Sequence, residues 1–190
     1  MLLHVNSRDL AIHGAWEFRP TIHRDSRGEF LESFASEEFQ RVTGRPFDLA
    51  QMNTSVSQLG VIRGIHSAAG SPGQAKYVMC VSGCILDMVV DLRPSSPTFG
   101  DWAQVILDDN ARSALFLSEG LGHGFQVLSR RATVVYATSS TYDPRREFAV
   151  NPFDSRLALP WVAPLRPSLS ARDASAPSLS DALIQAQNLL

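Results

Sequence analysis

Two histidines stand among glycines and aliphatic residues, where folding needs neither of them. His66 ends the run Arg63-Gly64-Ile65-His66, and His123 lies in Gly120-Leu121-Gly122-His123-Gly124. An imidazole exchanges protons near neutral pH, so both are candidates for acid–base chemistry. The glycines around His123 predict a tight loop that aims this side chain inward. A satisfied core or surface position for His66, and an exposed position in an ordinary turn for His123, are the alternatives.

Lys76 is the single lysine of the chain, since every other Lys or Arg position carries arginine. An ammonium group is a compact point charge with rotatable donors, and a guanidinium fork cannot reproduce it. The sequence therefore indicates a specific need for an ammonium at position 76. The alternative is that this lysine survives by chance.

Carboxylates and phenols add further candidates. Asp87 lies in the middle of the apolar run 84–92, where a carboxylate is costly unless it is paired, and we expect a histidine or arginine beside it. Asp91 is near the end of the same run, where solvation is expected. Tyr136 and Tyr142 share one parity on a predicted strand and its exit, although most buried tyrosines serve packing.

One predicted strand, 49–57, has a polar face. Four polar residues share one parity, and they are Gln51, Asn53, Ser55 and Ser57. Such a face belongs either to an edge strand that meets water or to the lining of a cavity. Its closeness in sequence to Arg63 and His66 favours the cavity.

The elements that must position these residues are mainly β-strands. Short runs of Val, Ile, Leu, Phe and Thr alternate with Gly, Pro, Ser and Asp, which is typical of an antiparallel sandwich or barrel. The predicted strands are 28–34, 49–57, 75–81, 84–92, 102–107, 114–118, 124–128 and 132–138. Ser82-Gly83 predicts a hairpin turn. Helices are expected at 36–42, capped by Ser36, and within the tail 177–190.

Composition limits the class of protein. The chain of 190 residues is 44% hydrophobic, which suits one domain, and its net charge of -2 gives no general attraction to nucleic acid or anionic membranes. No apolar run approaches the roughly 20 residues of a membrane span, and no signal-peptide core is seen near Arg8 and Asp9. We therefore expect a cytoplasmic protein in which Cys80 and Cys84 are reduced, buried thiols.

Several motifs together resemble the dTDP-4-dehydrorhamnose 3,5-epimerase family in order and spacing. The matching segments cover nearly the whole chain and are Asp25-Ser26-Arg27-Gly28, Gln51-Met52-Asn53, Arg63-Gly64-Ile65-His66, Ala75-Lys76-Tyr77-Val78, Ser96 to Gly100, Glu119 to Phe125, Tyr136, Tyr142-Asp143-Pro144 and Leu169 to Asp173. The resemblance implies a mainly β, cupin-type jelly roll with a few short helices. It also implies one domain over 1–190, with a core at about 15–165 and a tail at 166–190, that forms a homodimer.

The resemblance also implies roles for individual residues and a reaction that uses neither metal nor cofactor. His66 is the base, Asp173 orients it, Lys76 stabilises the oxyanion at the ketone, and Tyr136 returns a proton from the opposite face of the sugar. Tyr142 stacks on the thymine ring. The other substrate-binding residues are Arg27, Glu32, Gln51, Asn53, Arg63, His123, Glu147 and Arg172. The implied substrate is dTDP-4-dehydro-6-deoxy-D-glucose, a dTDP-linked 4-keto-6-deoxy sugar.

The sequence departs from the family pattern at two places. Ser67 stands where an aromatic residue is usual, and Ser118 where a proline is usual before Glu-Gly. We expect the smaller Ser67 to change how the sugar is held, so inversion at C3, at C5 or at both remains open. Two other functions stay open as alternatives, a metal-dependent cupin dioxygenase or isomerase and a catalytically silent sugar-nucleotide binding module.

Overall fold

Two antiparallel sheets pack against each other in the computed structural model of the chain, which describes residues 6–163 and 166–189. The first sheet has the order β1-β2-β10-β7-β12-β5, and the second has the order β13-β6-β11-β8-β9. The strands are β1 (Asn6–Asp9), β2 (Ala15–Arg19), β3 (His23–Asp25), β4 (Gly28–Phe30), β5 (Gln51–Gln58), β6 (Ile62–Ala68), β7 (Lys76–Ser82), β8 (Cys84–Asp91), β9 (Trp102–Asp108), β10 (Ala114–Leu117), β11 (Leu121–Val127), β12 (Arg131–Thr138) and β13 (Glu147–Ala149). Strands β3 and β4 form a separate hairpin.

The main core lies between the two sheets. Val78 of β7 and Val134 of β12 point into it from the first sheet, and Val89 of β8 and Phe125 of β11 meet them from the second. Strand β8 is apolar on both faces because its other side packs into a further core beneath the C-terminal helix. Its near-continuous apolar sequence follows from burial on both sides.

Three short helices complete the fold. They are α1 (Ser36–Thr43), α2 (Ala171–Ala174) and α3 (Leu179–Gln187). Helix α1 buries Phe39 in an aromatic cluster on the outer side of the first sheet. Helix α3 is capped by Ser178, whose hydroxyl accepts a hydrogen bond from the Asp181 amide, and it covers the second sheet.

The structure confirms most predicted strands, the hairpin turn and both predicted helices. Gly83 separates β7 from β8 with a φ of 85°, and Cys80 and Cys84 are free thiols, of which only Cys80 is fully buried. The predicted cap was wrong, because α1 is preceded by Ala35 and has no side-chain cap. The tail helix is shorter than the predicted range.

Three other predictions need correction. The segment 28–34 is a strand only over Gly28–Phe30, since it pairs with a three-residue partner and is exposed. Five strands were missed, namely β1, β2, β3, β6 and β13. Asp91 is not solvated, because it is fully buried and accepts hydrogen bonds from Arg93, Ser96 and Thr98.

Within the described residues, no helix is both long and apolar enough to cross a membrane. The division into a core at about 15–165 and a tail at 166–190 stays a prediction. The C-terminal segment nevertheless supplies α2 and α3, and Asp173 of α2 reaches the cavity described below.

Candidate active site

A cavity of about 130 Å³ lies between the two sheets. Five strands line it, with β5, β7 and β12 on one wall and β6 and β11 on the other. The lining residues are Ser55, Arg63, His66, Lys76, His123, Phe125 and Tyr136. Five of these seven were predicted from the sequence as site residues, so the structure brings those five to one place.

Close contact between β6 and β11 shapes the floor of the cavity. A Cβ atom on Gly64, whose φ is +114°, would lie 2.5 Å from the Cα of Gly124. Because no side chain fits there, only glycine allows the two strands to approach this closely. His66 pairs with His123 across the strands, and the register shifts between His123 and Phe125.

This irregularity explains how Arg63 and His66 line the same cavity. Residues three apart on a regular strand point to opposite faces of the sheet. The irregular register at Gly64 turns both side chains toward the other sheet. The Arg63-Gly64-Ile65-His66 motif is therefore a geometric requirement of the site.

His66 is held by a buried carboxylate. Its Nε2 lies 2.6 Å from Oδ1 of Asp173, a side chain that is only 4% exposed. Asp173 stands in α2, where its amide donates to the Ser170 hydroxyl. Burial opposes ionisation of Asp173, but hydrogen bonds from His66, Ser170 and the Gly64 amide outweigh it and lower its pKa. The pair is therefore an imidazole oriented by an ionised carboxylate.

Lys76 places its ammonium group beside His66. The side chain is buried, and its Nζ donates to the His66 carbonyl oxygen over 3.2 Å. Burial lowers the pKa of Lys76, while the negative charges of Glu147 and Asp87 act in the opposite direction. An ammonium in such a position interacts strongly with any charge that develops on a bound ligand.

His123 has a carboxylate partner of its own, as predicted for Asp87. Its Nε2 lies 2.9 Å from Oδ2 of Asp87, whose side chain is fully buried. Burial raises the pKa of Asp87, and the nearby His123 and Lys76 partly offset this effect. The prediction of a loop at 123 was wrong, because His123 lies in the middle of β11. In the sequence the glycines favoured a turn, whereas in the structure they permit close contact between β6 and β11.

Tyr136 faces His66 and His123 from the opposite wall, which it shares with Lys76. It lies in β12, which pairs with β5 so that Tyr136 is opposite Asn53. The pKa of Tyr136 is raised, chiefly by burial, and the positive charge of Arg63 and the negative charge of Glu147 act on it in opposite directions. The phenol therefore carries its proton at neutral pH and can donate it.

Four further predicted residues lie around this cavity or near its lining groups. Gln51 donates to Asn53 over 2.7 Å and accepts a hydrogen bond from the amide of Tyr142. Tyr142 is 55% exposed, which leaves its ring free to stack. Glu147 in β13 is half-buried and acts electrostatically on Lys76 and Tyr136.

Three other predicted residues do not line the cavity. Arg27 lies in the β3–β4 hairpin, where its side chain is 88% exposed and pairs with Asp25. Glu32 borders a separate depression beside α1. Arg172 is exposed on α2 and lines an open depression that also includes Glu147.

Sequence reasoning also misplaced Ser67 and missed two lining residues. The Ser67 hydroxyl donates to the Leu121 carbonyl oxygen on the far side of β6, so it cannot hold a sugar in this cavity. Phe125 was assigned only to a strand. Ser55 was noted for its parity with Gln51 and Asn53, and this alternation was enough to predict it as a lining residue.

The described residues contain no group of three or more His, Cys, Asp or Glu side chains placed to hold a metal ion. Each histidine of the cavity instead contacts one aspartate. The donor set therefore suits proton transfer, with each imidazole oriented by its carboxylate.

The fold and this site define a class of protein, the cupin-type sugar-nucleotide epimerases. A family model described as dTDP-4-dehydrorhamnose 3,5-epimerase matches residues 9–181. The chain belongs to this family.

Relatives that are named as epimerases agree with this assignment. A dTDP-4-dehydrorhamnose 3,5-epimerase of Mycobacterium tuberculosis is 48% identical over 188 residues, which cover 98% of this chain and 92% of the relative. The crystal structure of a 4-keto-6-deoxy sugar epimerase from the novobiocin gene cluster of Streptomyces spheroides has a TM-score of 0.93 at 48% identity, covering 98% and 92% of the two chains. A 3'-monoepimerase from Streptomyces bikiniensis in complex with dTDP-quinovose has a TM-score of 0.89 at 46% identity, covering 95% and 90%.

Proposed function

We propose that this protein epimerises dTDP-4-dehydro-6-deoxy-D-glucose at C3, C5 or both, for deoxysugar biosynthesis. The protons on the carbons beside the C4 ketone are acidic because their removal gives an enolate. Reprotonation from the other face of the ring inverts the carbon. The products are dTDP-4-dehydro-L-rhamnose or a mono-epimer.

One observation carries this proposal, namely that the base and the phenol stand on opposite walls of one cavity. His66 belongs to the second sheet and Tyr136 to the first. A sugar ring held between them presents one face to the imidazole and the other to the phenol. Inversion requires this arrangement, whereas simple proton exchange requires only the base.

The groups divide the chemistry between them. His66 takes the proton from carbon, and the Asp173 carboxylate stabilises the imidazolium that forms. The electron pair moves onto the ketone oxygen, where the Lys76 ammonium offsets the negative charge. Tyr136 then donates its proton to the opposite face of the carbon. General base catalysis contributes roughly 10²–10⁴-fold, and a fixed charge at the oxyanion is worth about 3 kcal/mol more.

The remaining predicted residues are proposed to hold the nucleotide. Arg63 presents guanidinium donors that suit a diphosphate, and Arg172 is proposed to reach the same group. The exposed Tyr142 ring is proposed to stack on thymine. The other proposed contacts are Arg27, Glu32, Gln51, Asn53, His123 and Glu147.

Proton exchange in D₂O tests this function. The protein is incubated with dTDP-4-dehydro-6-deoxy-D-glucose, and NMR locates the deuterium. Label at C3, at C5 or at both, together with an inverted product, supports the proposal and settles the regiochemistry that differs between relatives named 3,5-epimerase and 3'-monoepimerase. Absence of label at both carbons rejects it.

We further propose that the chain acts as a homodimer. The outer face of the first sheet exposes apolar side chains on β5 and β7, where Met52, Val56 and Val81 are 58%, 44% and 40% exposed. Strand β5 is also an open edge. A second copy of the chain would cover both features.

A homodimer also gives Arg27 and Glu32 a route to a binding site, because neither lines the cavity of its own chain. We propose that they contact the nucleotide bound by the partner. Mixing inactive Arg27→Ala chains with inactive His66→Ala chains tests this. Random exchange makes half of the dimers mixed, each with one intact site, and restores about a quarter of the wild-type activity. No recovery after proven exchange would contradict shared sites.

A cytoplasmic location also remains a proposal, which is consistent with a reaction on a nucleotide sugar.

A further inference from the structure

The hydroxyl group of Ser55 is buried in the wall of the cavity without a partner. Its Oγ has no hydrogen bond to any of the residues that the structure describes, although it is removed from the surface. Buried hydroxyl groups almost always have a partner, because leaving one unpaired costs free energy. Among the side chains that line the cavity, Ser55 therefore carries a buried donor that no described residue uses.

The position of Ser55 along β5 indicates which part of a ligand it meets. Asn53 stands opposite Tyr136, at the level where the sugar ring is proposed to lie. On the other side of Ser55 along β5, Ser57 accepts a hydrogen bond from Nε of Arg63 over 3.0 Å. Ser55 thus lies between the reacting groups and the guanidinium group.

The chemistry between these two points is that of the sugar phosphate bond. In a nucleotide diphosphate sugar, the phosphate next to the ring joins the sugar to the rest of the diphosphate. Arg63 makes one side-chain hydrogen bond within the described chain, through Nε to Ser57, and this leaves its terminal nitrogens for an anion. Guanidinium groups and serine hydroxyls are both common donors to phosphate oxygens.

We propose that Ser55 donates a hydrogen bond to the sugar-bearing phosphate and so sets how deeply the sugar enters the cavity. This inference rests on the proposed substrate. Ser55 is a substrate contact, and it does not take part in the proton transfers. Because its hydroxyl has no protein partner to lose, removing it leaves the folded chain intact.

The test compares Ser55→Ala with wild-type protein, using dTDP and dTMP as probes in calorimetric titrations. dTDP contains the second phosphate and dTMP lacks it. We expect the dissociation constant of dTDP to rise about tenfold, the value for one hydrogen bond to a charged group, while that of dTMP stays unchanged. The KM for the 4-keto sugar nucleotide should rise by about the same factor, with kcat within about twofold.

Two further variants separate binding from folding. Ser55→Thr keeps the hydroxyl and suits a strand, so it should restore dTDP affinity. Ser67→Ala is the matched control, since this buried hydroxyl donates to the Leu121 carbonyl oxygen over 3.2 Å outside the cavity. We expect it to lower the melting temperature without affecting dTDP, whereas Ser55→Ala should leave the melting temperature unchanged or higher.

The inference is overturned if Ser55→Ala binds dTDP like wild type, if dTMP weakens as much as dTDP, or if only the sugar-containing ligand is affected. Its failure differs from that of the proposed function. A wild-type protein that binds dTDP but exchanges no sugar proton would refute the epimerase function, and the comparison of dTDP with dTMP would still decide the role of Ser55.

Discussion

Replacing Lys76 with methionine separates the two consequences of burying an ammonium group in the cavity. Methionine keeps the length and flexibility of the side chain but removes its charge. Lys76 is buried, and its Nζ makes one hydrogen bond, to the His66 carbonyl oxygen. The variant therefore loses the proposed oxyanion partner with little change in packing.

The expected magnitude follows from this position. Loss of one fixed donor at a developing oxyanion costs about 3 kcal/mol, so kcat should fall by roughly 10²–10³. The free energy of unfolding at neutral pH should rise in the variant, because it no longer buries a charged group. The folded-state pKa of Lys76 lies below its ordinary value of 10.5, chiefly because of burial, so the unfolded chain binds more protons between these two values. Wild-type stability must then rise with pH across that window, and Lys76→Met should abolish this rise.

The single lysine makes the assay unambiguous. Lysine labelled with ¹⁵N at Nζ gives one side-chain signal, whose titration in the native protein reports the pKa of Lys76 directly. We expect a midpoint below 10.5, and activity should fall as the pH rises through it, since the neutral amine no longer offsets the oxyanion. A midpoint at or above 10.5, or a Lys76→Met variant with near wild-type kcat, would refute this reasoning.

Two further substitutions test the roles of buried carboxylates. Asp173→Asn keeps the shape of the side chain and its place after Ser170 but removes the charge beside His66, so kcat should fall about 10–100-fold with KM little changed, as steady-state kinetics can check. Asp91→Asn should lower the free energy of unfolding by about 2 kcal/mol at pH 7, because hydrogen bonds from Arg93, Ser96 and Thr98 lower the pKa of Asp91 from 3.8 to about 2 despite its burial. In denaturant titrations this difference should shrink as the pH falls from 3.8 through about 2, and a difference that persists at pH 1 would contradict it.

The sequence was informative where a polar residue stood in the middle of an apolar run or where polar residues alternated along a strand. Asp87 had to be paired, and the structure places His123 beside it. The alternating polar residues of 49–57 favoured a cavity wall, and this strand carries Ser55 into the lining. In both cases, burial of a polar group is costly enough to leave a visible signal.

Contacts between distant segments were harder to predict. The glycines around His123 indicated a turn, because glycine marks turns far more often than close strand contacts, yet Gly64 and Gly124 pack against each other. Asp91 looked solvated since its partners follow it in an irregular loop. The exposure of Arg27 and Glu32 could not be read from one chain's sequence, because their proposed site depends on a second copy.

The resemblance supplied what local patterns could not, above all the pairing of His66 with Asp173 across 107 residues. The structure brings Lys76 beside His66, and it places Lys76 and Tyr136 together on the wall that faces His66. Their roles in the reaction remain predictions that kinetics must decide.

The most direct test of the central claim, that an imidazole and a phenol act on opposite faces of one sugar, compares two variants in D₂O. His66→Ala should abolish deuterium incorporation beside the ketone as well as turnover. Tyr136→Phe should still incorporate deuterium but yield no inverted sugar, since the base remains and the opposing donor is lost. If both variants invert the sugar at rates close to wild type, the two residues do not have these roles and the mechanism is wrong.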